Sequence, residues 1–152
     1  MSSNRLSELP RGGGFILGVL IFGVVATTAY WVVWFGLNRE LLASAHSESY
    51  YAFENSFPAA DAWMTFVGLA ATLALFRRRA SALLWSIAAG TTSIYLGLLD
   101  VLFDLENGIY HSVDTGGVVV EIVINVLTLS MGAVVLLWAW RSRRELALFS
   151  GW

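Results

Sequence analysis

Four apolar runs, broken by short polar stretches, organise the chain. They cover residues 15–37, 59–76, 80–103 and 116–140. Each comes close to, or exceeds, the ~20 residues that a helix needs to cross a bilayer. The first run holds no charge, the third contains Asp100, and the fourth contains Glu121 and Asn125. None alternates apolar and polar residues with a period of two, and each is about twice the length of a membrane-barrel strand. The pattern predicts an all-α fold, an integral membrane four-helix bundle formed as one domain over residues 1–152.

The connections differ in length. Arg77, Arg78 and Arg79 make a tight turn between the second and third runs. Residues 38–58 hold Leu41, Leu42, Tyr50, Tyr51 and Phe53 among polar neighbours, a pattern that predicts an interfacial helix over 40–53. Residues 104–115 carry Asn107-Gly108 as a turn signal, with Gly116-Gly117 following.

Composition agrees with this architecture. Charged residues make up 13% of the chain and hydrophobic residues 57%, against roughly 25% charged in a soluble domain. Mean hydropathy is +0.68. So few charges cannot cover the surface of a soluble domain. The absence of cysteine excludes disulfide scaffolds, thiolate metal sites and thiol redox relays. A net charge of −2 gives no electrostatic reason for a nucleic-acid partner. The expected partners are membrane lipids.

Charge placement supplies direction. Eight of the nine basic residues, all arginine, fall on one side when the runs are threaded in order; Arg39 alone lies on the other. Basic residues near span ends stay on the cytoplasmic side, so both termini are expected in the cytoplasm and the chain in the cell (inner) membrane. Ala43-Ser44-Ala45 has the form of a signal-peptidase site. However, the preceding apolar run is too long for a signal peptide and is separated from that site by Asn38, Arg39 and Glu40, so it is expected to be a retained span.

The acids are skewed the opposite way. Only Glu8 and Glu145 fall on the arginine side. Acids contribute little to orientation, so topology does not explain the skew. At 1.5 Å per residue, Asp61 lies roughly 24 Å from Arg77, Asp100 roughly 31 Å from Arg79, and Glu121 roughly 30 Å from Arg141. Asn125 falls roughly 24 Å from Arg141, and Tyr30, Trp31 and Trp34 lie at a similar level. All belong to the outer third of a hydrocarbon layer about 30 Å thick.

Helical spacing sorts these residues into stripes. Ser93, Gly97, Asp100 and Asp104 share one face; so do Glu121, Asn125 and Thr128; so do Asp61, Thr65, Gly68 and Thr72; so do Thr27, Trp31, Trp34 and Asn38. Charge facing lipid is costly, so the stripes are expected to point inward around a polar funnel open to the outside. Asp100 and Glu121, flanked by apolar residues on both sides, are the leading candidates, with Asp61, Asn125, Tyr30, Trp31, Trp34, Glu54 and Asp104 around them.

Plainer roles compete. Asp61 follows Pro58 by three residues and suits a helix N-terminus. Asp104, Glu106 and Asp114 read as solvated loop acids, and Glu54 as a cap or headgroup residue. Asp100 and Glu121 also read as a hydrogen-bonded pair joining two spans. His46 and His111 read as loop histidines, and no HExxH or Glu-x-x-His pair supports a metal site. The 104–115 segment lacks the glycine and the final Glu of a calcium loop in register. No cofactor is expected. Most of the seven tryptophans suit an aromatic belt. Gly14 and Gly18, at GxxxG spacing, predict close helix packing within the chain or between copies in a homo-oligomer.

Three functions fit. The first is a pocket that binds a cation or an amphiphilic small molecule, in a transport-related role. The second is a membrane enzyme using Asp100 and Glu121 as acid and base on a lipid or isoprenoid. The third is an accessory subunit whose polar stripes serve helix association.

Overall fold

The computed structural model describes residues 8–43, 45–111 and 115–149. Among them there are helices and no strand. Arg5, Ser44, Asp114 and Trp152 lie outside the described residues. Four helical stretches are long and apolar enough to cross a membrane, at 13–38, 48–76, 81–106 and 116–141.

Helix α1 (Gly13–Val33) starts after Gly12, whose φ of +81° is open to glycine at little steric cost. It runs into a π-helical turn over Trp34–Asn38 and then a 3₁₀ turn over Arg39–Leu41. The connection predicted as one helix over 40–53 is instead that 3₁₀ turn followed by α2 (Glu48–Glu54). Ser47 caps α2, its Oγ accepting the Tyr50 amide at 3.1 Å. Pro58 opens α3 (Pro58–Phe76), where its fixed φ suits the first turn and its missing N–H costs nothing. Helix α4 (Ser81–Glu106) runs past the predicted end at 103, because no helix breaker precedes Asn107-Gly108. A 3₁₀ turn at Ile109–His111 leads to α5 (Thr115–Arg141), which absorbs Gly116-Gly117 as helix. The short α6 (Arg143–Leu146) closes the described chain.

The long helices pack in the ring order α1, α3, α4, α5. Helices α4 and α5 share the largest interface, and α5 meets α1 across the thinnest one. Two packed layers hold the ring. At the arginine end, Ile16, Leu20, Val67, Ala71, Leu75, Ala82, Val135, Leu146 and Phe149 form the main core. At the opposite end Trp34, Tyr50 and Ile109 form a second core, joined by Tyr30, Trp31 and Phe103. Phe53 stacks on Phe103 with centroids 3.7 Å apart, which pins α2 to the end of α4.

The predicted close packing at Gly14 and Gly18 is not seen among the described residues of the chain: a Cβ at either position would meet none of them within 4 Å. The close approach lies at Gly90 and Gly132, where a Cβ on either would come within 2.9 Å of the other's carbonyl oxygen.

Candidate functional site

Between the two cores lies a cavity of about 240 Å³. Every long helix contributes to its wall. Helix α1 brings Thr27, Tyr30 and Trp31; α3 brings Asp61 and Thr65; α4 brings Ser93, Gly97 and Asp100; and α5 brings Glu121 and Thr128. The short α2 adds Glu54, its last residue. Among the described residues, no arginine or histidine lines it.

Side-chain oxygens of Glu54, Asp100 and Glu121, one from each residue, all lie within 4.8 Å of one another. Glu54 is 7% exposed and Glu121 4%. Burial of Glu54 overturns its reading as a cap or headgroup residue: Phe53 stacking on Phe103 draws α2 across the bundle end and turns Glu54 inward. The Tyr30 hydroxyl donates to Glu54 Oε2 at 3.0 Å. The Trp31 indole donates to Asp61 Oδ2 at 2.8 Å. Asp61 also sits in the first turn of α3, so its position at a helix N-terminus and its place on the cavity wall coincide. Carboxylates this close repel one another when ionised, and bound protons or a cation relieve that repulsion.

Not every predicted residue reaches the cavity. Asp104 is not a solvated loop acid: it is 1% exposed, in the extra turn of α4. It accepts a hydrogen bond from Asn125 Nδ2 at 2.8 Å, and the same amide approaches the Tyr110 hydroxyl at 3.0 Å. Asp104 Oδ1 and Asn125 Oδ1 are buried with no hydrogen-bond partner. Asp104 and Asn125 therefore form a second polar group, behind the cavity wall and short of donors. Trp34 lies outside the wall as well. Trp34 stays in α register, its N–H bonded to the Tyr30 carbonyl, but lies one turn further along, in the second core, where its indole donates to Asn55 Oδ1 at 3.2 Å. Thr72 bonds back to the Gly68 carbonyl at 2.9 Å.

At the far end of the cavity Tyr30 and Trp31, which line the wall, pack against the aromatic core of Trp34, Tyr50 and Ile109. Nearby, His46 Nδ1 lies 3.2 Å from Glu40 and 3.0 Å from the Tyr51 hydroxyl, while the Arg39 guanidinium sits 4.4 Å from the Tyr51 ring centroid. His46 and Arg39 thus belong to a surface network. Sequence spacing gave no sign of the roles of Tyr110, Asn55 or Phe53, since each acts across elements that only the fold brings together.

Tyr110 lies between α4 and α5, and burial together with its bond to Asp104 pushes its phenol up to about 12. An unfolded tyrosine titrates near 10. The neutral phenol therefore contributes stability that is complete below pH ~10 and lost as pH rises towards ~12. Tyr110→Phe is expected to lose less stability over that window than the native chain, as measured by thermal unfolding at a series of pH values.

No protein family, curated protein or solved structure matches the chain.

Proposed function

We propose that the chain is a four-span protein of the cell membrane with both termini in the cytoplasm, and that its cavity binds a cation at the end away from the arginines. The sorted arginines support the orientation. One observation carries the binding reading: Glu54, Asp100 and Glu121 oxygens converge within 4.8 Å in a cavity that, among the described residues, no basic side chain lines. Tyr30, Thr65 and Ser93 add hydroxyls, and Trp31 an aromatic face, both suited to an organic ammonium.

Hydrogen bonds to charged groups contribute about 1.5–3 kcal/mol each, so charge on the ligand decides affinity. In lipid nanodiscs, butylammonium is expected to bind at least about tenfold more tightly than butanol. Equal binding of the two, measured by calorimetry, would overturn the reading. A second reading rests on the apolar slot that continues from the carboxylates to Val135: acid–base chemistry on a lipid held there. A change in mass of a lipid incubated with the protein would favour this second reading over binding alone.

A further inference from the structure

We infer that the cavity opens sideways between α1 and α5, and that it takes a membrane-dissolved amphiphile with an ammonium head and one unbranched chain. This rests on the cation reading above and extends it to the ligand's class and route.

Three observations carry it. The first is where the wall is thin. Helix α5 meets α1 more sparsely than any other neighbouring pair in the ring. Along that seam, Phe22 and Ala26 of α1 and Leu127 of α5 line the cavity and are also exposed on the outer surface of the bundle, Phe22 by 53% and Leu127 by 44%. A residue can face both only where the wall is one side chain thick. The seam narrows at Gly23, where a Cβ would lie 3.2 Å from the tip of Met131. It shuts at the arginine end, where the Trp138 indole donates to the Arg11 carbonyl at 3.0 Å.

The second observation is the covered end. The aromatic layer around Trp34 and Tyr50 packs on Tyr30 and Trp31 at the carboxylate end, where Glu54 and Glu121 are buried. The thin wall faces the hydrocarbon in the orientation proposed above, so the less obstructed route starts in the lipid.

The third is shape. Along α5 the lining runs from Glu121 to Val135, roughly 21 Å of helix. A volume of about 240 Å³ spread over that length makes a narrow slot. It is smaller than the ~300–1,000 Å³ of a typical small-molecule pocket. Carboxylates stand at one end, and Leu20, Ala89 and Val135 close the other. A single chain fits such a slot better than a ring system. Any length in excess leaves through the seam at little cost, because lipid tails are as apolar as the side chains they would leave.

The test uses dodecylammonium carrying a diazirine near the end of its chain, photolysed with the full-length protein in phosphatidylcholine nanodiscs, with crosslinks mapped by mass spectrometry. Crosslinks are expected within residues 22–26 and 124–131, and excess butylammonium should suppress them. Ala26→Trp, which fills the seam, is expected to reduce them about tenfold. Crosslinks on α2, or equal yield on the lipid-facing Trp63 and Phe66 of α3, would overturn the seam. The native protein alone decides this if Ala26→Trp does not fold. Should butylammonium itself fail to bind, the cation reading falls, and the seam with it. Should butylammonium bind while the chain end labels elsewhere, only the seam falls.

Discussion

The double variant Asp100→Asn, Glu121→Gln is expected to bind butylammonium about 100-fold more weakly than the native chain while keeping its helix content. Asn and Gln preserve shape and hydrogen-bonding capacity, so the slot stays intact while two of three converging negative charges vanish. A 100-fold loss corresponds to about 2.8 kcal/mol. That is close to the cost of removing one partner from a well-desolvated charge pair, about 3–5 kcal/mol. Fold is expected to survive because the change relieves repulsion among Glu54, Asp100 and Glu121, whose oxygens lie within 4.8 Å of one another. Calorimetry gives the binding result, and circular dichroism with thermal unfolding gives the fold. The opposite pattern, unchanged binding with a large loss of stability, would make the cluster helix glue and the chain a structural subunit.

Gly132→Leu is expected to lower the melting temperature by about 10 °C or to abolish the folded protein. A Cβ at Gly132 would come within 2.9 Å of the Gly90 carbonyl oxygen and 3.0 Å of the Ile94 amide nitrogen. Backbone atoms cannot rotate away as a side-chain tip can, so α4 and α5 must separate. Their separation also breaks the Ser93 hydroxyl bond to the Thr128 carbonyl, 2.9 Å long, about two helical turns from Asp100 and Glu121. Overpacking of this kind costs about 3 kcal/mol at the upper end of the usual range. Gly14→Leu provides the contrast, since a Cβ there meets none of the described residues within 4 Å and little change is expected. Equal effects of the two substitutions, measured by thermal unfolding in one detergent, would contradict the α4–α5 contact.

The four long helices were legible because each is an apolar run closed by punctuation: Gly12 before α1, Pro58 at the start of α3, the arginine triplet after it, and Asn107-Gly108 after α4. The cavity wall was partly legible. Thr27 with Trp31, Asp61 with Thr65, Ser93 with Asp100, and Glu121 with Thr128 follow helical spacing, and all eight line it. Spacing failed at stripe ends. Trp34 packs one turn beyond the wall in the second core, and Asp104 and Asn125 turn to each other behind the wall. Glycine spacing misled as well. GxxxG records that two helices can approach, whereas the contact at Gly90 and Gly132 depends on which faces meet.

The sequence by itself determined which segments are apolar enough to cross a membrane and that acids and arginines are sorted to opposite ends. Both are properties of composition along one dimension, where hydropathy and charge are additive. Tertiary structure alone decided that Glu54 of α2 joins Asp100 and Glu121 in the cavity wall, and that the ring is thinnest between α1 and α5. Those depend on helix rotation and on stacking such as Phe53 on Phe103, which small differences in packing settle between residues far apart in the chain.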